Sequence, residues 1–536
     1  MDSKEAIEIA GSPSQKWQCG TCANSVQGSK AHLHQTDQNT PYSDTLFFTS
    51  LSLRIGKTVD VRGSTSASSG VVELLSDGTW KGIGSVASDG TFHNDEVPPT
   101  YLVDKNIYAR VRNNGFTSRM LCATDAFVHP RCISVHTTAS KAEDQNFYNW
   151  NIQWADYQPS GYWVPPETLF TVWVIGNDVK GFVCIGTQGL AEKKKRDTQT
   201  ENMLEFALAK GQNIFNSGPN GGALHFRNNG SNDFRVLLGP QTQPIPYFIL
   251  GQTPHDDWHR MLEESDPMTQ VELVGNRVVI AAYADTYRQY APVNVDEIVR
   301  SHEKVLEIEA EAAGLDGSSL IHSKSNMWIY AVESTSSFSP HASTGYIALP
   351  HGTDPNNAYM YSLVGGQAHQ RWVALHEYGH HFQSRMNSVS PMFNEVSVNI
   401  YAAAVARKHK NDHVDHFRQL WPAIKKWLAK PREEKEFLDA PDHYALFEQL
   451  RVEYGTRFLT DWTRTIRENP PAKNTLITLT SSLCKAARFN LANFFADWGV
   501  IKESDATWKA LEALDLPLPP TGLIDHEPYI GLSDNP

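Results

Sequence analysis

His376, Glu377 and His380 stand in the spacing His-Glu-x-x-His within Ala374-Leu-His-Glu-Tyr-Gly-His-His-Phe382, and this stretch limits the possible fold more than any other. On an α-helix, residues four apart are separated by about 400° of rotation and roughly 6 Å of rise, so both imidazoles project from one face, one turn apart. Neutral imidazole suits a borderline ion such as Zn2+, and two ligands on one rigid helix lose little further freedom when the ion binds. Glu377, beside the first histidine, is placed to take a proton from a metal-activated water without coordinating the metal itself. A fold for this chain must therefore hold one helix open to a cleft and bring a third ligand to it from elsewhere.

With 21 histidines in the chain, the bare pattern arises by chance in roughly one such chain in twenty, so the surroundings decide. Gln367-Ala-His-Gln-Arg-Trp-Val-Ala-Leu375 lacks proline and glycine and carries Ala368, Trp372 and Leu375 at helical spacing, which predicts a helix opening after Gly365-Gly366. Two decoys fail: Leu306 and Ile530 stand where His302-Glu303 and His526-Glu527 need a second histidine. His302 instead shares an apolar stripe with Val295, Ile298, Val299, Val305 and Leu306, which predicts a buried, hydrogen-bonded side chain.

A catalytic zinc takes three protein ligands and keeps a fourth position open. After the turn Ser388-Val-Ser-Pro391, the stretch Phe393-Asn-Glu-Val-Ser-Val-Asn-Ile-Tyr401 predicts a second helix beginning near Asn394. Glu395, in its first turn, is the expected third ligand; the competing role is a carboxylate stabilised by the helix dipole. Asn399, one turn later, is placed to orient a ligating histidine. His381 points about 100° away from the ligand face, which suits packing or substrate lining.

The 536 residues suffice for three or so domains with substantial cores. A net charge of −13 argues against nucleic acid as the main partner. The basic run Lys193-Lys-Lys-Arg196 reads as a solvated loop. Six scattered cysteines cannot staple a chain of this size, although Cys122 and Cys132 could pair across a hairpin, and Cys19-Gly-Thr-Cys22 lacks a companion motif. No window approaches the roughly eighteen apolar residues of a membrane span. The first residues, Met1-Asp-Ser-Lys-Glu-Ala-Ile-Glu-Ile-Ala10, show no apolar core of a signal peptide.

Read in order, residues 1–40 form a polar arm. Short alternating segments bounded by Asp77-Gly78, Asp89-Gly90 and Asn114-Gly115 predict a β-sandwich over 41–138; Trp80 and Tyr101 are candidate carbohydrate contacts, although core or scattered surface is the favoured place for each. A second β-rich stretch covers 139–290, marked by Leu169-Phe-Thr-Val-Trp-Val-Ile175. Helices dominate 291–510, interrupted by strand-like Trp328-Ile-Tyr-Ala-Val332 and Gly345-Tyr-Ile-Ala-Leu349, and 511–536 is a tail. The expected class is thus α+β and multidomain: N-terminal β-sandwich modules followed by a mainly helical, zincin-like catalytic domain with a small sheet. The segment Gly345–Leu349 is expected to offer an edge on which an extended peptide adds itself, with Gly345, Tyr346 and Gly366 contacting substrate.

His-Glu-Tyr-Gly-His-His-Phe-Gln (376–383), preceded by Gly365-Gly366 and followed by Asn-Glu-Val-Ser-Val-Asn (394–399), resembles the enhancin and enhancin-like zinc metallopeptidases. Ser160-Gly-Tyr-Trp-Val-Pro-Pro-Glu-Thr-Leu-Phe-Thr-Val172, Gly211-Gln-Asn-Ile-Phe-Asn-Ser-Gly218 and Ser343-Thr-Gly-Tyr346 extend the resemblance, which covers about residues 145 to 490. It implies His376, His380 and Glu395 as zinc ligands, Glu377 as general base, and a substrate among mucins and other O-glycosylated proteins, with action outside the producing cell. That family's mucin-acting members are typically exported, and with no leader visible here the cytoplasm stays the alternative. Tyr444 lies where a later helix could donate a proton to the oxyanion, with His443 the competing choice and a packing role for both an equal alternative.

The leading expectation is a zinc endopeptidase. Its rival is a glycan- or receptor-binding adhesin or toxin component whose zinc site is structural or vestigial. A zinc aminopeptidase would need an acidic anchor for the substrate amine, and no motif supplies one. Oligomeric state is not legible.

Overall fold

The computed structural model describes residues 46–528 except 47, 56–58, 77–78, 102–105, 119–120, 125–131, 177–178, 193–198, 240, 353–357, 388, 390, 410–417 and 521. Residues 1–40, with Cys19 and Cys22, the turn Asp77-Gly78 and the basic run 193–196 lie outside the described residues, as do the side chains of Cys122 and Cys132.

Asn114 and Gly115 both have positive φ, 49° and 78°, the requirement of the tight hairpin that joins strands Asn106–Asn113 and Phe116–Thr117. Turns of this kind fold residues 48–124 into two sheets. One orders Phe48–Ile55, Val59–Thr65 and Thr91–Val97; the other is built on Thr79–Ser85, Val71–Ser76 and Asn106–Asn113. Val59 and Val61 from the first sheet meet Val72, Leu74, Ile107 and Val111 from the second in one core, so the region is a β-sandwich. Trp80 is not an open carbohydrate platform: it leans on that core and carries the Arg110 guanidinium 4.5 Å over its ring. Tyr101 likewise packs against the core.

Trp173 and Leu237 bury into the same core from the next module, joining the two sandwiches. In that second sandwich, Leu169–Ile175 pairs with Gly211–Asn216 and Phe234–Leu238, and Tyr157–Val164 pairs with Gly222–Asn228. Strand Cys132–Val135 also belongs here, paired with Phe234–Leu238. Cys122 and Cys132 therefore sit in strands of different sheets, not across one hairpin.

The third unit starts well before residue 291. Six strands, β1 (Tyr247–Ile249), β2 (Gln270–Val274), β3 (Val278–Tyr283), β4 (Ile329–Ser334), β5 (His341–Ser343) and β6 (Tyr346–Pro350), form a mixed sheet ordered β1-β2-β3-β4-β6-β5. The β3 side chains alternate as the pleat requires. Val278, Ile280 and Ala282 enter the helical core, while Val279, Ala281 and Tyr283 face Tyr157, Leu190 and Ala191 of the sandwich. β6 is an interior strand, held between β4 and β5, so the segment Gly345–Leu349 is not an edge; among the described strands β5 is the edge on that flank.

Against the first face lie α1 (Val295–Ala312), α2 (Ala358–Val364), α3 (Trp372–Gly379), α4 (Pro391–Ser397) and α5 (Asn399–Lys408). Asn294 caps α1 by accepting the Asp296 amide, and Asp296 and Glu297 complement its positive end. Later helices, including Ala445–Tyr454 and Phe458–Glu468, complete the same core. The architecture is α+β: β-sandwich modules followed by a helical domain with a sheet. Among the described residues, no helix is long and apolar enough to cross a membrane.

Candidate metal and catalytic site

The metal-motif helix is shorter than its sequence suggests. Gly365 and Gly366 close α2 instead of opening α3, residues Ala368–Gln370 make a single 3-10 turn, and α3 begins at Trp372. Gly366 adopts φ +70° at that turn, against Glu297 of α1. Ala374, Leu375 and Tyr378 bury the inner face of α3. The helix gives way to a 3-10 turn, His380–Phe382, yet His380 keeps α-helical torsions of −58° and −30°, so the two-histidine register survives.

Gly379 lets α3 approach the junction of α4 and α5. A β-carbon there would lie 2.9 Å from both the Val398 carbonyl oxygen and its side chain. That approach sets the third ligand in reach. α4 starts at Pro391, three residues ahead of the predicted start, because proline suits a first helical position. Glu395 thus sits in its second turn. Ser397 bonds back to the Phe393 carbonyl at 2.8 Å, a contact that bends helices, and α4 ends there.

The result is a convergence of three donors. His376 Nε2 lies 3.0 Å and His380 Nε2 3.5 Å from Glu395 Oε2, and the three ligand atoms fall within 4.8 Å of one another. A tetrahedron with bonds of roughly 2.1 Å has an edge of roughly 3.4 Å, so the set fits a zinc ion. The backs of both imidazoles are anchored. His376 Nδ1–H donates to Asn399 Oδ1 at 2.9 Å, and the Asn399 amide is fixed by its own bond to the Glu395 carbonyl. His380 Nδ1–H donates to Gln383 Oε1 at 2.8 Å, while the Gln383 amide donates to the Asn394 carbonyl and Ser397 Oγ. With protons held on Nδ1, both Nε2 atoms present lone pairs toward Glu395.

Electrostatics follow from this geometry. Before a metal binds, the imidazolium forms of His376 and His380, each donating from Nε2, hold the Glu395 carboxyl well below the usual carboxylate range. Burial opposes a charge on His376, but Glu395, Glu377 and Asn399 outweigh it and raise its pKa. Glu377 is buried, and burial raises its pKa although both neighbouring imidazoles pull the other way. A carboxylate so placed is primed to accept a proton.

Not every expected residue joins this site. The Tyr444 hydroxyl is fully buried and donates to Glu448 Oε1 at 2.9 Å, inside a cluster that Glu448 forms with Arg407 and Arg451. Arg407 lies eight residues beyond Asn399, roughly 12 Å along the helix axis, and the Tyr444 hydroxyl is spent on this buried cluster, the contact of a packing residue. His443 is half-buried with its ring 5.1 Å from Phe437. Gly345, at φ +80°, turns against Ala155, and its amide donates to the Gln153 carbonyl. The Tyr346 hydroxyl accepts from Gln199 on the sandwich side, and its carbonyl accepts from His381 Nε2. These residues brace the sheet. Gln383 is the residue sequence reasoning passed over; its signal was the His380-x-x-Gln383 spacing of one helical turn.

Two family models match the chain: peptidase M60, enhancin and enhancin-like, over residues 241–499, and the N-terminal domain of M60-like peptidases over residues 139–236. No curated protein matches by sequence. Among solved structures, a functionally unknown conserved protein from Bacillus anthracis is similar with a TM-score of 0.63 at 22% identity, over 74% of this chain and 82% of that one. The M60 catalytic domain of ZmpC from Clostridium perfringens, in complex with the sialyl T antigen, gives 0.58 at 18% identity over 75% and 84%. A metallopeptidase in complex with Tn antigen gives 0.58 at 17% identity over 75% and 83%. At these identities the likeness is one of fold.

Proposed function

The chain belongs to the enhancin and enhancin-like M60 peptidases, a family of metallopeptidases, and from that premise we propose that it is a zinc-dependent endopeptidase acting on O-glycosylated, mucin-like proteins outside the producing cell. The observation that carries the zinc reading is the meeting of His376 Nε2, His380 Nε2 and Glu395 Oε2, with both Nδ1 protons tied to amide oxygens. The glycoprotein reading is supported by the similar structures that hold Tn and sialyl T antigens.

When bound, zinc supplies a Lewis acid for the scissile carbonyl and makes water a nucleophile near neutral pH. The residues of the chain do the rest. Glu377 removes the proton from the attacking water and passes it to the departing amine nitrogen, a transfer that its burial favours. Asn399 and Gln383 keep the imidazoles from turning. β5 leaves one flank of the sheet unpaired among the described strands, where an extended peptide can align by main-chain hydrogen bonds. A complete ligand set beside a buried carboxylate also weighs against a purely adhesive role.

The test is to incubate the zinc-loaded protein with a mucin-type glycoprotein and its deglycosylated form and to map cleavage sites by mass spectrometry. Cleavage of the glycosylated form next to modified Ser or Thr is expected. Cleavage of neither form returns the chain to a binding role.

A further inference from the structure

A second pair of histidines repeats the mutual geometry of the ligand pair. His369 stands in the 3-10 turn that leads into α3, and His409 ends α5. Their ring centroids are 4.9 Å apart with planes at 69°. His376 and His380 themselves meet at 4.9 Å and 88°. In the second pair, His369 Nδ1 and His409 Nε2 are buried, and neither has a hydrogen-bond partner among the described residues. Unpartnered buried nitrogens on two rings in contact are a combination that folded proteins seldom leave without a ligand.

The chemistry of the pair selects its guest. Burial, with Lys304 nearby, disfavours the charged form of both rings, and the His409 pKa falls to about 4. At neutral pH both are imidazoles with a lone pair to give. His369 Nε2 lies 3.3 Å from the Gln370 amide nitrogen. A metal at Nδ1 requires the tautomer with the proton on Nε2, which forms when the Gln370 amide turns its oxygen to that atom. Two imidazoles without a carboxylate suit Cu2+ first and then Ni2+ or Zn2+, and they exclude Ca2+ and Mg2+. Lys304 and Lys408 stand close by, Lys408 paired with Glu311 at 3.0 Å. Their charges weaken this site relative to the first, so it fills second.

We propose that His369 and His409 form an auxiliary transition-metal site that clamps the turn before α3 to the end of α5. α3 and the turn that follows it carry His376 and His380, and α5 begins with Asn399. Water completes the coordination of a metal held there by two protein nitrogens.

The test avoids the first site altogether. A full-length His376→Ala/His380→Ala variant is titrated with Cu2+, and bound copper is followed by electron paramagnetic resonance. One equivalent with hyperfine structure from two imidazole nitrogens is expected. Adding His369→Ala or His409→Ala should each weaken binding at least tenfold. His409→Gln, close in size, serves as the check where the alanine variant loses its native circular dichroism. Copper should also raise the melting temperature of the double variant and leave that of the triple variants unmoved. No bound copper, or copper unaffected by substitution at 369 and 409, overturns the site. Neither readout involves proteolysis, so failure here leaves the peptidase reading untouched.

Discussion

His376 and His380 belong to the same helical domain as His302 and His381, yet the two sets are wired in opposite directions. In the first set, Nδ1–H is tied to a side-chain amide and Nε2 looks out toward Glu395. In the second, Nε2–H is tied to a backbone carbonyl, Leu363 for His302 and Tyr346 for His381, and neither ring reaches solvent. His302 spends its remaining lone pair on the Tyr378 hydroxyl at 2.6 Å. Burial drops the pKa of His302 to about 4 and that of His381 to about 3. The lesson is that the nitrogen the scaffold holds, more than the residue type or its depth, separates a metal ligand from a packing group.

The contrast can be broken most forcefully at the ligands. His380→Ala or Glu395→Ala should cost several kcal/mol of zinc affinity, on the order of a thousandfold, read by competition with a chromophoric chelator. His302→Ala should leave that affinity within a few fold.

Acid separates the two sets next. The folded-state pKa values of His302 and His381 lie below the ordinary 6.5. Between those limits the unfolded chain binds protons that the native state refuses. Stability is therefore full above about pH 6.5 and lost as pH falls toward 4, by roughly 3 kcal/mol for each ring. Urea unfolding of the metal-free protein at pH 7.5 and 4.5 measures the drop, and His302→Gln should remove its own share.

A smaller effect belongs to the anchors. Gln383→Ala frees the His380 ring and should weaken zinc binding by about 10- to 100-fold with the fold unchanged. The smallest is Tyr378→Phe, which deprives His302 Nδ1 of its donor. It should cost about 1 kcal/mol of stability and leave zinc affinity alone, a split that calorimetry and chelator competition together resolve.

Much of this site was legible because its logic is local. His376, Glu377 and His380 announce themselves by helical spacing, and Glu395 and Asn399 by standing four residues apart, although a break at Val398 puts them on successive helices. His302 was legible as a buried residue from its apolar stripe. What escaped depended on contacts distant in sequence or on breaks in periodicity. The start of α3 slipped to Trp372 because Gln367 binds the Arg371 guanidinium within a 3-10 turn. Among the described strands, the edge on this flank of the sheet is only three residues, His341–Ser343, too short to show alternation. Tyr444 lay at a plausible distance along the chain, but only the packed structure reveals Glu448 and Arg407 claiming that corner of the core. The sandwiches were visible from their Asn-Gly and Asp-Gly turns. Which strand joined which sheet was not, since pairing partners such as Cys132–Val135 and Phe234–Leu238 are remote in sequence.

The central claim is that Glu377 moves the proton while His376, His380 and Glu395 hold the metal. Glu377→Gln keeps the size of the side chain and removes its basicity, so zinc content and cleavage of a mucin-type glycoprotein should be measured on the same sample. The account predicts one equivalent of zinc retained at the first site and cleavage reduced to background. Full cleavage by this variant, with contaminating protease excluded, would contradict it.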